Sequence, residues 1–408
     1  MSDWTIERLG RRGDGVAISD TGARALAPLV LPGEIIAGEA EGDRIAAPRI
    51  LTPSPDRVKP PCPHYRACGG CSLMHGSDGF VARWKVGMVT SALAAQGLVV
   101  DPQGISTSPP RSRRRAVFSG RRTKKGALVG FHARASDVII DIADCQVLRP
   151  AIQSALPLLR DITVAGASRQ GELSLTVTET LSGLDLSVSG GKPMEPALFS
   201  TLAALAEKGD LARFVWNGDA ITRRPPLLQM GRARVTPPPG AFLQATAEGE
   251  AALLSAVRDI VGDAPRIADL FAGCGTFTLP LAEKADVDAF EGLPDPLATL
   301  DSAWRQTQGL HKVATQTRDL AKRPLQPDEL AKYHAIVIDP PRAGAEQQAV
   351  ELARSGVPRL AWVSCDPVTF ARDSRILADG GYTLARVFVV DQFRWSPHVE
   401  TVAEFRRS

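Results

Sequence analysis

The chain has 408 residues, 44% hydrophobic and 23% charged, with a net charge of +3 at pH 7; this suits two or three folded domains and excludes a disordered or fibrous polymer. So balanced a charge excludes a globally basic coat for nucleic acid, and any such surface must come from local clustering. No apolar run approaches the ~20 residues of a membrane-spanning helix, and the opening "MSDWTIERLGRRGDG" lacks a signal peptide's apolar stretch, so a cytoplasmic protein with no membrane partner is expected.

Up to about residue 55, short apolar runs such as Val16-Ala17-Ile18 and Leu29-Val30-Leu31 alternate with Gly and Pro turns, the pattern of a small β-barrel or sheet. The proline-rich "ILTPSPDRVKPPCP" reads as a linker. Three cysteines then crowd into "PCPHYRACGGCSLMH", namely Cys62, Cys68 and Cys71, with Cys145 following in "DIADCQVLRP". Six cysteines in a chain this long make no disulfide scaffold, and a reducing compartment favours metal or catalytic roles. Gly69-Gly70 lets the loop wrap closely, Cys145 supplies a distant fourth thiolate, and His64 and His75 read as bystanders. By spacing alone, zinc and an iron–sulfur cluster are equally suited.

"FVARWKVGMVTSALAAQGL" has helical apolar spacing. Residues 111–241 are mostly strand-like, with helices expected near Pro150–Leu159 and Pro196–Glu207. At their start, "RSRRRAVFSGRRTKK" holds eight Arg or Lys and no acid. Arg113, Arg114, Arg115, Arg121 and Arg122 read there as contacts to RNA phosphates, and Phe118 as a stacking platform. A solvated charged hairpin is the plain alternative.

From Glu248 the pattern turns to alternating strands and helices, a doubly wound α/β domain. The strand "RIADLF" runs into the glycine turn of "AGCGTFTLPLA", where backbone N–H groups can approach a ligand at a helix start. Cys274, between the glycines, reads as a packed side chain. Glu291 ends the next strand, where a carboxylate can receive ribose hydroxyls. "AIVIDPPRAG" delivers Asp339 to a sheet end, with two prolines fixing a rigid edge for a flat ring. "RLAWVSC" brings Cys365 to the end of another strand.

Together "RLGRRGDGVA…LPGE", "CPHYRACGGC", "VIIDIADCQVLRP", "FLQAT", "ADLFAGCGTFTLPLA", "IDPPRAG", "VSCDPVTFARD" and "DQFRWSPHVETVAEF" span nearly the whole chain. In order and spacing, this set resembles the S-adenosylmethionine-dependent RNA uracil-5-methyltransferases with an iron–sulfur cluster, the group that includes the 23S ribosomal RNA (uracil-5)-methyltransferases. The resemblance implies an α/β fold: a Rossmann-like class I methyltransferase domain over 241–408, a β-rich central iron–sulfur domain over 56–240, and a small N-terminal RNA-binding β-barrel over 1–55. It implies Cys365 as the nucleophile that adds to uracil C6 and Glu400 as the base that removes the C5 proton. It also assigns Gln244, Phe271, Gly273, Thr276, Glu291, Asp319 and Asp339 to the cofactor, and Cys62, Cys68, Cys71 and Cys145 to a 4Fe–4S cluster that is structural or RNA-holding.

Ribosomal RNA is the favoured substrate, because transfer-RNA members generally lack the cluster cysteines, and a monomer is expected. Methylation of a transfer RNA is the alternative within the class, and a non-catalytic iron–sulfur RNA-binding protein the alternative outside it. Two positions depart from the family pattern: Thr246 and Asp366 each stand where Asn is usual. Asp366 puts a negative charge beside a thiol that has to ionise, which opposes ionisation unless the carboxylate points away or binds a cation.

Overall fold

A computed structural model describes residues 2–407. Its largest sheet has eight strands in the order Val313–Thr317, Asp286–Glu291, Arg266–Leu270, Ala335–Ile338, Arg359–Ser364, Glu400–Arg406, Thr383–Asp391 and Ile105–Thr107. The first five are parallel, and Glu400–Arg406 runs antiparallel to both its neighbours. Helices cover both faces, so Ala335–Ile338 is buried throughout; that is why "AIVI" reads as an unbroken apolar run rather than an alternation. Leu253, Val257 and Ile260 of the helix Ala247–Val261 belong to one core, while Phe370 and Leu377 of the helix Pro367–Asp379 belong to the other.

Two pieces of the segment 56–240 lie with this C-terminal sheet. The helix Asp78–Ala94 sends Val89 and Leu93 into the second core, and Ile105–Thr107 extends the sheet edge in parallel with Thr383–Asp391. Lys85 of that helix, fully buried, meets Asp391 at 2.5 Å. Breaking such a pair strands a buried charge at a cost of about 3–5 kcal/mol, so the helix is fixed to the sheet. Apolar spacing shows that a helix has a buried face but not which sheet it covers, and three residues are too few to show a strand's alternation.

The rest of the middle segment is centred on a seven-stranded sheet, ordered Asp219–Thr222, Arg213–Trp216, Gly183–Ser189, Glu172–Thr180, Arg115–Arg122, Ala127–His132 and Ile139–Asp141. The helices Leu156–Gly166 and Pro196–Lys208, near the two expected places, contribute to its core. Gly166 is required by packing, since a Cβ there would stand 2.1 Å from the Trp216 ring.

The N-terminal segment forms a five-stranded antiparallel sheet, ordered Arg24–Ala27, Gly15–Ser19, Ser2–Leu9, Ile35–Gly38 and Arg49–Thr52. It curls around Trp4, Ile6, Ile36 and Ile45. Its edge residue Leu26 donates to Asp43 O and accepts from Ile45 N. The proline-rich stretch that follows is docked rather than a free tether: Arg57 bonds the fully buried Glu34, which also accepts the N–H groups of Leu31 and Ser54. Glu34 is therefore an internal charge and adds nothing to the acidity of the outer surface. Among the described residues no helix is long and apolar enough to cross a membrane.

Candidate active site

Strand order in the large sheet reverses between Arg266–Leu270 and Ala335–Ile338. At such a point the loops leaving two neighbouring strands diverge to opposite faces and open a crevice at the carboxyl ends. The five parallel strands deliver, in spatial order, Asp319, Glu291, the turn 271–275, Asp339 and Cys365 to this edge.

Within the turn, Phe271, Gly273 and Gly275 all have positive φ, at 65°, 55° and 98°. For Phe271 that backbone is strained and persists only because its surroundings impose it. A Cβ on Gly273 would meet nothing within 4 Å, so its backbone is open to close approach. Thr276 follows, half-buried, before the helix start. Glu291 accepts the N–H groups of Gly273 at 3.1 Å and Leu293 at 3.0 Å. Asp319 sits beside Gly292 and accepts N–H groups of Ala321 and Lys322.

Beneath the turn Asp269 is fully buried. Its Oδ2 accepts the Thr278 hydroxyl while Oδ1 has no partner. Burial, reinforced by the Asp339 charge, pushes Asp269 up to about 7, and burial alone does the same to Asp339. An unpartnered buried oxygen in a crevice with an accessible backbone and two carboxylates suits a ligand that carries donors and positive charge.

Cys365 and Glu400 face each other across an antiparallel pair, one position beyond the registered partners Ser364 and Thr401. Glu400 is 3% exposed. Burial, then the Asp339 charge, raises its carboxyl to about 8, against the opposing Gln392 hydrogen bond and Arg342 charge. Burial, then the Glu400 and Asp339 charges, pushes the Cys365 thiol up to about 12, with Arg342 opposing. A relay of amides joins the two carboxylates: Gln244 Nε2 donates to Asp339 at 3.3 Å, and Gln392 Nε2 donates to Gln244 Oε1 at 2.6 Å and to Glu400 at 3.2 Å. Gln392 also accepts the Ala245 N–H at 2.7 Å. Arg342 donates to His398 Nδ1 at 2.6 Å; burial and Arg342 depress that imidazole to about 4, which keeps it a neutral acceptor.

Arg342, Gln392 and His398 were not singled out in the sequence and Asp269 was noted only as a strand end, although all four lie within the quoted motifs "ADLFAGCGTFTLPLA", "IDPPRAG" and "DQFRWSPHVETVAEF". Periodicity ranks apolar faces and is silent on single polar residues after a strand, and only the fold shows that two glutamines 148 residues apart touch.

Both departures have a structural account. Thr246 caps the helix Ala247–Val261, accepting the Gly249 N–H, and bonds the Ser108 hydroxyl at 2.7 Å. Asp366 caps Pro367–Asp379 by accepting the N–H groups of Val368 and Thr369, and Arg11 lies 3.3 Å from it. Asp and Asn are equivalent N-caps, and the carboxylate is aimed at the helix start.

Cys62, Cys68, Cys71 and Cys145 line one cavity of about 770 Å³, whose wall also includes Cys365, Glu400 and Phe242. All four are free thiols. Burial pushes Cys68, Cys71 and Cys145 up, Cys71 to about 12, while Arg113 and Arg134 bring positive charge to the set. The Gly70 N–H points at Cys68 Sγ at 3.4 Å. Among the described residues no three His, Cys, Asp or Glu side chains are gathered to hold one ion. His64 accepts the Ala143 N–H, and His75 lies between Tyr65 and Val30 O, so both have structural partners.

The basic run is not the open face expected of it. Phe118 is 0% exposed and stacks on Phe131, so it is a core residue and not a platform for a base. Arg114 is buried against Glu250 and Gln244 O. Arg113 lies over the Phe393 ring, and Arg115 donates to Gly240 O; both line the cysteine cavity. Arg121 is paired with Glu172 and Arg122 is half-buried, leaving Lys124 and Lys125 exposed at the hairpin tip. Strand alternation sends every second residue inward, which a run of like charges conceals.

A family model described as tRNA (Uracil-5-)-methyltransferase matches residues 307–407. An uncharacterized RNA methyltransferase of Brucella suis biovar 1 is 44% identical over 98% of this chain and 96% of its own. The 23S rRNA (uracil(1939)-C(5))-methyltransferase RlmD of Edwardsiella ictaluri is 32% identical over 98% of this chain and 94% of its own. Among solved structures, the Pyrococcus abyssi tRNA (uracil-54, C5)-methyltransferase in complex with S-adenosyl-L-homocysteine superposes over 99% of both chains with a TM-score of 0.75, at 20% identity. Full-length likeness to these relatives, on a sheet that puts a cysteine and a buried glutamate on two neighbouring strands beside its switch point, places the chain in the S-adenosylmethionine-dependent RNA (uracil-5)-methyltransferase family.

Proposed function

We propose that the protein methylates C5 of a uridine in 23S ribosomal RNA, with Cys365 as nucleophile and Glu400 as base. The observation that carries this is the opposition of Cys365 and Glu400 across one strand pair, beside Asp339 and the amide relay. Uracil C5 is a weak carbon nucleophile; addition of a thiolate at C6 converts the ring to an enolate and moves electron density onto C5. S-adenosylmethionine supplies an electrophilic methyl group when bound in the crevice formed by Phe271, Gly273, Thr276, Glu291, Asp319 and Asp339. Gln244, bonded to Asp339 and Gln392, completes the cofactor side of the site. Glu400 then takes the C5 proton as the sulfur–C6 bond breaks. The choice of ribosomal RNA is supported by the relative that shares the chain's full length and is named for that substrate. Mapping of 5-methyluridine in cellular RNA, with and without the gene, should show one 23S position losing its methyl group. A loss confined to transfer RNA would overturn the substrate, and no loss at all the activity.

Cys62, Cys68, Cys71 and Cys145 are proposed as the ligands of a 4Fe–4S cluster. Four free thiols on one cavity, two guanidinium groups to balance thiolate charge and an N–H directed at a sulfur suit such a group. Anaerobically purified protein should be brown and hold about four iron and four sulfide per chain, which Cys68→Ser should abolish. Stoichiometric zinc without sulfide would overturn this assignment.

A further inference from the structure

Arg11 stands on the turn between the first two strands of the N-terminal sheet, 355 residues from its partner Asp366. The turn is itself held. Gly10 N donates to Asp14 O at 2.7 Å and Gly13 N to Gly10 O at 2.8 Å, while Gly13, at φ 84°, lies so close to Ser72 and Leu73 that a Cβ there would stand 3.3 and 3.4 Å from them. From this base the guanidinium reaches both oxygens of Asp366, at 3.3 and 3.4 Å. Asp366 Oδ1 is at the same time occupied by the N–H groups of Val368 and Thr369. Arg11, Asp366 and Cys365 line one groove of about 940 Å³, which also takes in Trp84 and Arg342.

We propose that Arg11 is a positioning residue for the nucleophile. By pairing with Asp366 it holds that carboxylate on the helix start and offsets its charge beside Cys365, and it ties the N-terminal sheet to the catalytic turn. Exposed ion pairs contribute little to stability, typically about 0–1 kcal/mol, so the consequence lies in the local field and not in the fold. The charged and titratable groups facing the thiol are Glu400, Asp339 and Arg342, with His398 bonded to Arg342. Asp366 is the next residue after Cys365, and Arg11 pairs with its carboxylate on the wall of the groove that Cys365 also lines. An Asn at this position would cap the helix equally well and offer Arg11 no charge to pair with.

The proposal rests on Cys365 being the nucleophile, but its test needs no RNA and no turnover. Full-length protein is treated with iodoacetamide between pH 7 and 10, and modification of Cys365 is followed by peptide mass spectrometry. Arg11→Ala should slow that modification about three- to tenfold at pH 8 by leaving the Asp366 charge unbalanced. Asp366→Asn, which keeps the helix cap, should bring the Arg11→Ala protein back to within about twofold of the parent. Arg11→Lys should stay near the parent rate. An unchanged rate in Arg11→Ala, or a double variant as slow as the single one, would overturn the proposal. Methyl transfer by a Cys365→Ala protein would instead remove the reading on which it rests, leaving the alkylation rates to stand on their own.

Discussion

A protein carrying Cys365→Ala is expected to bind the methyl donor like the parent, yet to form no covalent complex with RNA and transfer no methyl group. The substitution leaves the crevice at the switch point intact, because Phe271, Gly273, Glu291 and Asp339 are set by three other strands of the sheet. It removes the thiol that lies beside Glu400 and Asp339, so the loss in methyl transfer should be on the order of 10⁴-fold or more, as for other groups whose chemistry has no substitute. Stability should change little, by about 1 kcal/mol or less, since Cys365 is half-buried on a turn whose geometry is held by the Asp366 cap and not by the thiol. A folded RNA with the target uridine in a loop is the appropriate substrate, because the base has to leave any stack to reach the cavity. Normal turnover would mean that Cys365 is a packing residue.

The burial of that thiol adds a condition. Pushed up to about 12, Cys365 is protonated in the free protein at neutral pH, so it ionises only as the reaction proceeds. Arg342, the cation that opposes the shift, is held in place by a neutral His398. An alkylation rate that climbs steadily from pH 7 to 10 in the free parent protein is the corollary, with the Arg11 variants displaced along the same axis.

Much of the C-terminal domain was legible from alternation alone. Short β-rich runs between helical patterns give a doubly wound sheet, and a residue that ends an apolar run and precedes Gly or Pro falls at the sheet's carboxyl edge. Asp339 was found by that rule, and Cys365 by its place at the end of an apolar run. Glu400 was not: it begins a strand antiparallel to its neighbours, so only resemblance drew attention to it. The basic run failed for a related reason. Charge is additive in a sequence window, but the sheet divides Arg114 and Phe118 from Arg121 and Lys124 by facing and position, and an arginine that lies against Glu250 has no charge to spare for a phosphate. The relay Asp339–Gln244–Gln392–Glu400 was invisible because each member stands on a different segment, and tertiary proximity leaves no local trace.

Glu400→Gln should stall the reaction at a different point. The thiol and the crevice are intact, so addition and methyl transfer proceed, but the C5 proton has no acceptor and elimination is blocked. Methylated RNA should then accumulate as a covalent complex that survives denaturation, and the complex should vanish when Cys365 is also replaced. Glutamine fits the site, since Gln392 Nε2, which now donates to a carboxylate oxygen, can donate to an amide oxygen equally well. The charge balance explains why the parent avoids this stall. The Glu400 charge opposes ionisation of Cys365, so the thiolate forms more readily while Glu400 is protonated. Once sulfur is bonded to C6, the thiolate charge is gone, and after methyl transfer the ring is neutral as well. Glu400 is then free to ionise when the C5 proton has to leave. In the free protein its value lies raised near 8, so the proton is held below that pH and released above it. With elimination as the slow step, the kcat of the parent should therefore rise by about tenfold per unit as pH approaches 8 from below. Multiple turnover by Glu400→Gln at the parent rate would show that another group or water removes the proton, and a flat profile from pH 6 to 8 would show that Glu400 is already ionised when RNA binds.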